Sequence, residues 1–156
     1  MIKHGMNRTK LHNMWGNMKQ RCHYKANPWY PYYGGRGITV CPEWRNDAAT
    51  FIRWALSNGY DETLQIDRID NNGNYSPDNC RFVTRPQNMV NRGKQSNGLT
   101  SKYKGVYWDK SRNKWHVRVG HKHIGRFNTE IGAARAYDIA VREKYGKFAV
   151  LNFPDR

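Results

Sequence analysis

Residues 114–127 read KWHVRVGHKHIGRF: Lys114-Trp115-His116-Val117-Arg118-Val119, a Gly120-His121 turn, then Lys122-His123-Ile124-Gly125-Arg126-Phe127. Strict alternation marks the first run as a half-buried strand, because successive side chains leave a strand on opposite faces. Trp115, Val117 and Val119 share one face; Lys114, His116 and Arg118 share the other. The glycine turn and the second run make a hairpin with it. Upstream, Tyr103 to Trp108 supplies a third strand, joined through the polar turn Asp109–Asn113. Downstream, Glu130 to Tyr145 has helical periodicity, with Ala133, Ala136, Tyr137, Ala140 and Val141 on one stripe and Gly146 as its stop. Those small residues suit close packing of the helix on the apolar face of the sheet, and Leu151-Asn152-Phe153-Pro154 closes the unit. The opposite face, with its Lys, His and Arg, is left open. Such a face suits entry into the major groove of duplex DNA, or is simply a solvated sheet face.

Tyr103-Lys104-Gly105-Val106, Lys114-Trp115, Ile124-Gly125-Arg126-Phe127, Ala133-Ala134-Arg135-Ala136-Tyr137-Asp138 and Leu151-Asn152-Phe153-Pro154 together resemble the apetala-2/ethylene-response-factor (AP2/ERF) DNA-binding domain. The resemblance implies groove reading by the exposed sheet face. It places Lys104, Tyr107, Arg118, His121 and His123 at base- or phosphate-contacting positions, beside Lys114 and His116 of the open face. The plant family mostly carries Arg, Arg, Glu, Arg and Trp at the five carried-over positions. A bidentate arginine–guanine code therefore does not transfer to this chain.

Before this unit, Gly93 to Ser101 is polar and aperiodic, a linker taken as residues 96–101 between domains at 1–95 and 102–156. The first domain is organised around residues 66–91, IDRIDNNGNYSPDNCRFVTRPQNMVN. Short strands around Leu64–Asp67 and at Cys80–Val83 flank a loop of Asp, Asn, Gly, Ser and Pro. Thr84, Pro86 and Gln87 then signal a helix start, with Gly93 as its stop. A strand-end carboxylate facing a helix-borne Asn offers hard oxygen ligands for Mg²⁺. An Asx-rich turn satisfying its own backbone is the alternative.

This stretch resembles the ββα-metal core of the HNH endonucleases, in their phage and intron-associated branch. The resemblance implies Asp67 and either Asn88 or Asn91 as ligands of Mg²⁺ or Mn²⁺, with Asn79 pinning the loop. Arg68 stands where that family has its general-base His. A guanidinium donates only and keeps its proton, so Arg68 is expected to clamp the scissile phosphate instead. His4, His12 and His23 are the only imidazoles in this half to serve as base.

Further upstream, Leu11, Met14, Trp15, Met18 and Cys22 stripe a helix over 8–22. A Tyr- and Gly-rich loop around Arg36 leads into a strand at Ile38–Cys41, and Pro42 opens a helix running through Leu56. Its apolar face is Ala48, Phe51, Ile52, Ala55 and Leu56. Glycines beside Arg36 suit phosphate contact, and Arg81 and Arg85 add cations to the same half.

The 156 residues carry a net charge of +15, divided almost evenly: +7 over residues 1–95 and +8 over 96–156. With 6 Trp, 10 Tyr and 5 Phe among the basic residues, nucleic acid is the expected partner of both halves. No stacking motif of the RRM type favours RNA. No apolar run reaches transmembrane length and Met1–Gly5 is no signal peptide, so a soluble protein is expected. Three cysteines without a CxxC pair read as buried free thiols rather than a disulfide or zinc framework. The expected architecture is α+β in two domains. The expected function is a metal-dependent, homing-like DNA endonuclease, monomeric, binding double-stranded DNA without a small-molecule cofactor. It would be phage-encoded and act in the cytoplasm of a bacterial host. The alternative is a non-catalytic DNA-binding transcriptional regulator.

Overall fold

The computed structural model describes residues 9–91 and 100–154. The expected helix stop at Gly93, most of the 96–101 linker and the candidate base His4 lie outside the described residues. The fold is α+β, as the sequence indicates. It divides into two compact units, Met1–Arg85 and Pro86–Arg156.

In the first unit, α1 (Lys10–His23) is capped by Thr9, whose side chain accepts from the His12 amide. Leu11, Met18 and Cys22 bury its apolar stripe, while Met14 and Trp15 are partly buried against the same core. The single helix expected from Pro42 is two: α2 (Pro42–Asn46) and α3 (Ala48–Ser57). Asp47 breaks it. The Asp47 carboxylate accepts from the Ala49 amide at 2.9 Å and the Thr50 hydroxyl at 2.7 Å, so it caps α3 instead of continuing α2. The break rotates the register, burying Ala49 and leaving Leu56 exposed.

The strand expected at Ile38–Cys41 is reduced to one parallel bridge, Val40 to Tyr75. The loop docks there by backbone bonds from Tyr75 N to Thr39 O and from Cys41 N to Tyr75 O, both 2.9 Å. β1 (Gln65–Arg68) and β2 (Cys80–Val83) pair antiparallel, with Asp67 opposite Arg81.

In the second unit, α4 (Arg85–Asn91) contributes Val90 to the core. β3 (Val106–Asp109), β4 (Lys114–Val119) and β5 (Lys122–Phe127) form one antiparallel sheet in that order. It is covered by α5 (Glu130–Tyr145), which the Thr129 side chain caps. Val106, Val117, Val119, Ala133, Ala134, Tyr137 and Val141 are buried between sheet and helix. β3 begins later than the sequence suggests because Gly105 sits at φ +73°. A Cβ there would stand 2.1 Å from the Tyr137 ring and 2.8 Å from the Arg118 carbonyl oxygen. Glycine is thus required both for the turn and for the approach of α5.

The closing segment is held by charge-assisted bonds. Buried Asp138 accepts from the Asn152 and Phe153 amides at 2.7 and 2.8 Å. The Asn152 side chain in turn brackets the Lys104 backbone, its Oδ1 accepting from the Lys104 amide at 2.7 Å. Ser101, placed in the linker by sequence, is buried here and donates to Glu130 at 2.7 Å.

Candidate nucleic-acid interface

The face of the β3–β4–β5 sheet turned away from α5 is built by register. Val106 pairs with Val117 and Trp108 with Trp115 on the core side, which puts Tyr107 opposite His116 and Asp109 opposite Lys114 on the open side. On β5, Arg126 lies opposite His116, and Phe127 opposite Trp115. The register then shifts, so that Gly125 meets Val117 but His123, not Ile124, meets Arg118. This bulge inserts one residue and restores phase, bringing both His123 and Arg126 to the open side. Alternation alone gives positions 123 and 126 opposite faces and cannot place both here; His123 is expected at the interface from the AP2/ERF resemblance, and Arg126 is not among the expected contacts. The signal available was Ile124-Gly125, a glycine inside a strand pattern.

The result is a shallow, aromatic and basic surface. Tyr107 and Arg118 are exposed on it. Arg126 bonds through Nε to Asp109 Oδ2 at 3.4 Å, and Arg112 holds the same oxygen at 3.2 Å. Donors from Ser111, together with these arginines, hold the Asp109 carboxyl down at about 2. His116 Nε2 and His123 Nδ1 lie 2.7 Å apart with their rings tilted at 41°. Partial burial, followed by His123, Arg126 and Arg118, depresses the His116 pKa below the usual imidazole value, with Asp109 opposing. Lys114 donates to Asn128 at one edge, and His121 is exposed in the β4–β5 turn.

The Lys104 ammonium donates to the Val90 carbonyl near the end of α4, where helix carbonyls lack intrahelical partners. Burial pushes its pKa down to about 8.

The candidates in the first unit are engaged internally. Asp67, 5% exposed, accepts from Arg81 Nε at 3.0 Å across the β1–β2 pair. Its carboxylate is therefore matched by a guanidinium. Asn88 and Asn91 belong to the second unit, Asn91 fully buried and Asn88 half-buried. Among the described residues no group of three or more His, Cys, Asp or Glu is placed to hold a metal ion.

Arg68, 7% exposed, donates to the Gly73 carbonyl at 2.9 Å. Its guanidinium lies 5.2 and 4.9 Å from the rings of Tyr33 and Tyr75, which stack at 19°. Arg21 contacts the same two rings and donates to the Tyr75 hydroxyl at 2.9 Å. Buried in this way, Arg68 braces the loop whose Gly73 carbonyl it bonds. Asn79 spans that loop, accepting from the Asp70 amide and donating to the Asp70 and Asn74 carbonyls. Arg36 is exposed but tied to Asn72 at 2.6 Å and to the Tyr32 carbonyl. Arg85 is exposed at the start of α4. Cys22 and Cys80 are buried, with thiols pushed up to about 11 and 12 by desolvation, and all three cysteines are free.

No family model matches the chain, and no solved structure matches it. Curated plant proteins do. The chain is 35% identical over 80 residues to the ethylene-responsive transcription factor WRI1 of Arabidopsis thaliana, covering 46% of this chain and 19% of that protein. It is 43% identical over 60 residues to the AP2/ERF and B3 domain-containing transcription factor RAV1, covering 36% of this chain and 17% of that one. It is 45% identical over 58 residues to the AP2/ERF and B3 domain-containing transcription repressor TEM1, covering 35% and 16%; both are from the same plant. The chain thus spans about a fifth of the length of the relatives it matches.

These similarities support an AP2/ERF-type domain in the chain. They overturn the endonuclease expectation, and with it the assignment as a metal-dependent hydrolase, because the matched relatives are transcription factors. The expectation of a phage-encoded protein in a bacterial cytoplasm is corrected by the same plant relatives. No helix among the described residues is long and apolar enough to cross a membrane.

Proposed function

We propose that the chain is a non-enzymatic DNA-binding transcriptional regulator that reads duplex DNA with the open face of the β3–β4–β5 sheet. The observation that carries this reading is the assembly of Tyr107, His116, Arg118, His123 and Arg126 on one face of a sheet whose other face is packed on α5. A rigid sheet presenting cations and an aromatic ring matches what groove recognition needs: charges for phosphate and side chains that reach base edges. The printed descriptions of the relatives, transcription factor and transcription repressor, agree with this reading. His121 and His123, where the AP2/ERF resemblance leads one to expect arginine and tryptophan, predict a preferred site different from that of the plant proteins.

The test is selection of duplexes from a random pool by the full chain, followed by affinity measurement over a salt series. A recovered sequence preference with affinity falling steeply as salt rises supports the reading. Recovery of no duplex at low salt overturns it.

A further inference from the structure

The His116–His123 contact lies at the centre of the open face, and neither the fold nor the packing of α5 needs it. A 2.7 Å separation between two ring nitrogens is a hydrogen bond, so one nitrogen carries the shared proton and the other accepts it. In the neutral pair, only one of the two outward nitrogens, His116 Nδ1 and His123 Nε2, then bears hydrogen. Adding one proton makes both outward nitrogens donors and keeps the bridge. Adding a second would set two N–H groups against each other and break it. The pair therefore accepts one proton as a unit.

The groups facing it make that proton sensitive to an arriving polyanion. From β3 come Tyr107 and the Asp109 carboxylate, and from β5 Arg126. Lys114 and Arg118 flank His116 on its own strand. Apart from Asp109, whose charge is shared by Arg112 and Arg126, the charged neighbours are cationic and oppose protonation of the free pair. Phosphates laid across the face offset those cations, which favours the protonated form.

We infer that docking of DNA phosphate on this face draws one proton from solvent into the His116–His123 pair, making DNA affinity proton-linked. The inference rests on the DNA-binding reading above. The depressed His116 value supports it, since a lowered imidazole has a proton to gain when the surrounding cations are offset. The sign follows from linkage. The bound state holds more protons, so affinity is greatest at low pH and falls as pH rises from below the ordinary imidazole value towards neutrality and above. Uptake of one proton sets the limiting slope at about tenfold in Kd per pH unit.

The full chain, with a duplex recovered by the selection above, is titrated at fixed ionic strength from about pH 5.5 to 8. Calorimetry in two buffers of different ionisation enthalpy counts the protons taken up. Weakening with pH and uptake approaching one proton, both lost in the double variant His116→Gln/His123→Gln, are the expected results. Affinity independent of pH, or a slope retained in the double variant, would overturn the inference while leaving DNA binding intact. Failure to bind any duplex at any pH would instead remove the DNA-binding reading itself. An NMR titration of the free chain tests the pair without DNA. The His116 midpoint should move in His123→Gln, and an unmoved midpoint shows two independent rings.

Discussion

Arg68 in the first unit and Arg118 in the second sit on short antiparallel strands in halves of nearly equal charge, yet they are used in opposite ways. Arg68 is buried, its guanidinium bonded to Gly73 and flanked by two tyrosine rings. Arg118 stands exposed on a face whose reverse side is a closed core. The same contrast separates the two Asp–Arg pairs. Asp67 and Arg81 neutralise each other inside the first unit, whereas Asp109 gathers Arg112 and Arg126 on the open sheet. Net charge therefore suits the chain to a polyanion without saying which arginines would meet it. Backbone register and burial decide that.

The sharpest way to break the comparison is to remove one unit. Gly105→Leu forces a side chain into the Tyr137 ring at a positive φ, and should destabilise the second unit by more than about 4 kcal/mol. Circular dichroism and the DNA titration should both register its loss, with the first unit's melting transition retained. DNA affinity surviving that loss would place the interface in the first unit and reverse the comparison.

Next in size, Arg68→Ala should lower the stability of the first unit by about 2–4 kcal/mol, read from chemical denaturation. It deletes a buried charged hydrogen bond and two desolvated cation–π contacts. DNA affinity should change little. A variant as stable as the parent but weaker on DNA would assign Arg68 a phosphate contact instead. Arg118→Ala is the counterpart. It should leave stability within about 0.5 kcal/mol, because the side chain is exposed. It should weaken binding by about 1–3 kcal/mol if it contacts a base, and by less with a reduced salt slope if it contacts phosphate.

The second unit was the more legible in sequence because its signals are local. The period-two run at Lys114–Val119 and the capped helix at Glu130–Tyr145 match the observed bounds residue for residue. What escaped was non-local. Asp47 looks like a helical residue until its carboxylate caps α3, and the β5 bulge that aligns His123 with Arg126 exists only in the pairing with β4. Lys104 was assigned to the interface by its place in a motif, and the structure turns its ammonium to the Val90 carbonyl. The spacing from Asp67 to Asn88 or Asn91 suggests hard-oxygen ligands. Spacing carries no information on the cross-strand Arg81 that answers the carboxylate, nor on the core that buries Asn91. The endonuclease expectation is overturned separately, by the similarity to transcription factors.

The smallest expected effect is also the one that separates the two charge devices on the open face. Asp109 is the acidic group that restrains Arg112 and Arg126, and it faces His116. Asp109→Asn should release both guanidiniums towards phosphate and raise DNA affinity about threefold at low salt, with the gain fading as salt screens it. Stability should fall little at neutral pH, because ion pairs open to solvent contribute little. The carboxyl is held at about 2, below its ordinary value, so its folded-state contribution is present above the usual carboxylate range. That contribution is lost only as pH falls towards 2. Asp109 therefore stays ionised throughout the range in which imidazoles titrate, and cannot itself produce a pH dependence of binding there. The decisive measurement is the affinity of Asp109→Asn against pH, set beside that of His116→Gln/His123→Gln. An unchanged slope on a tighter baseline in the first, and a flat profile in the second, would assign the proton to the histidine pair and the constant restraint to Asp109. A slope lost in Asp109→Asn would show instead that the carboxylate's charge is needed for the pair to take up its proton.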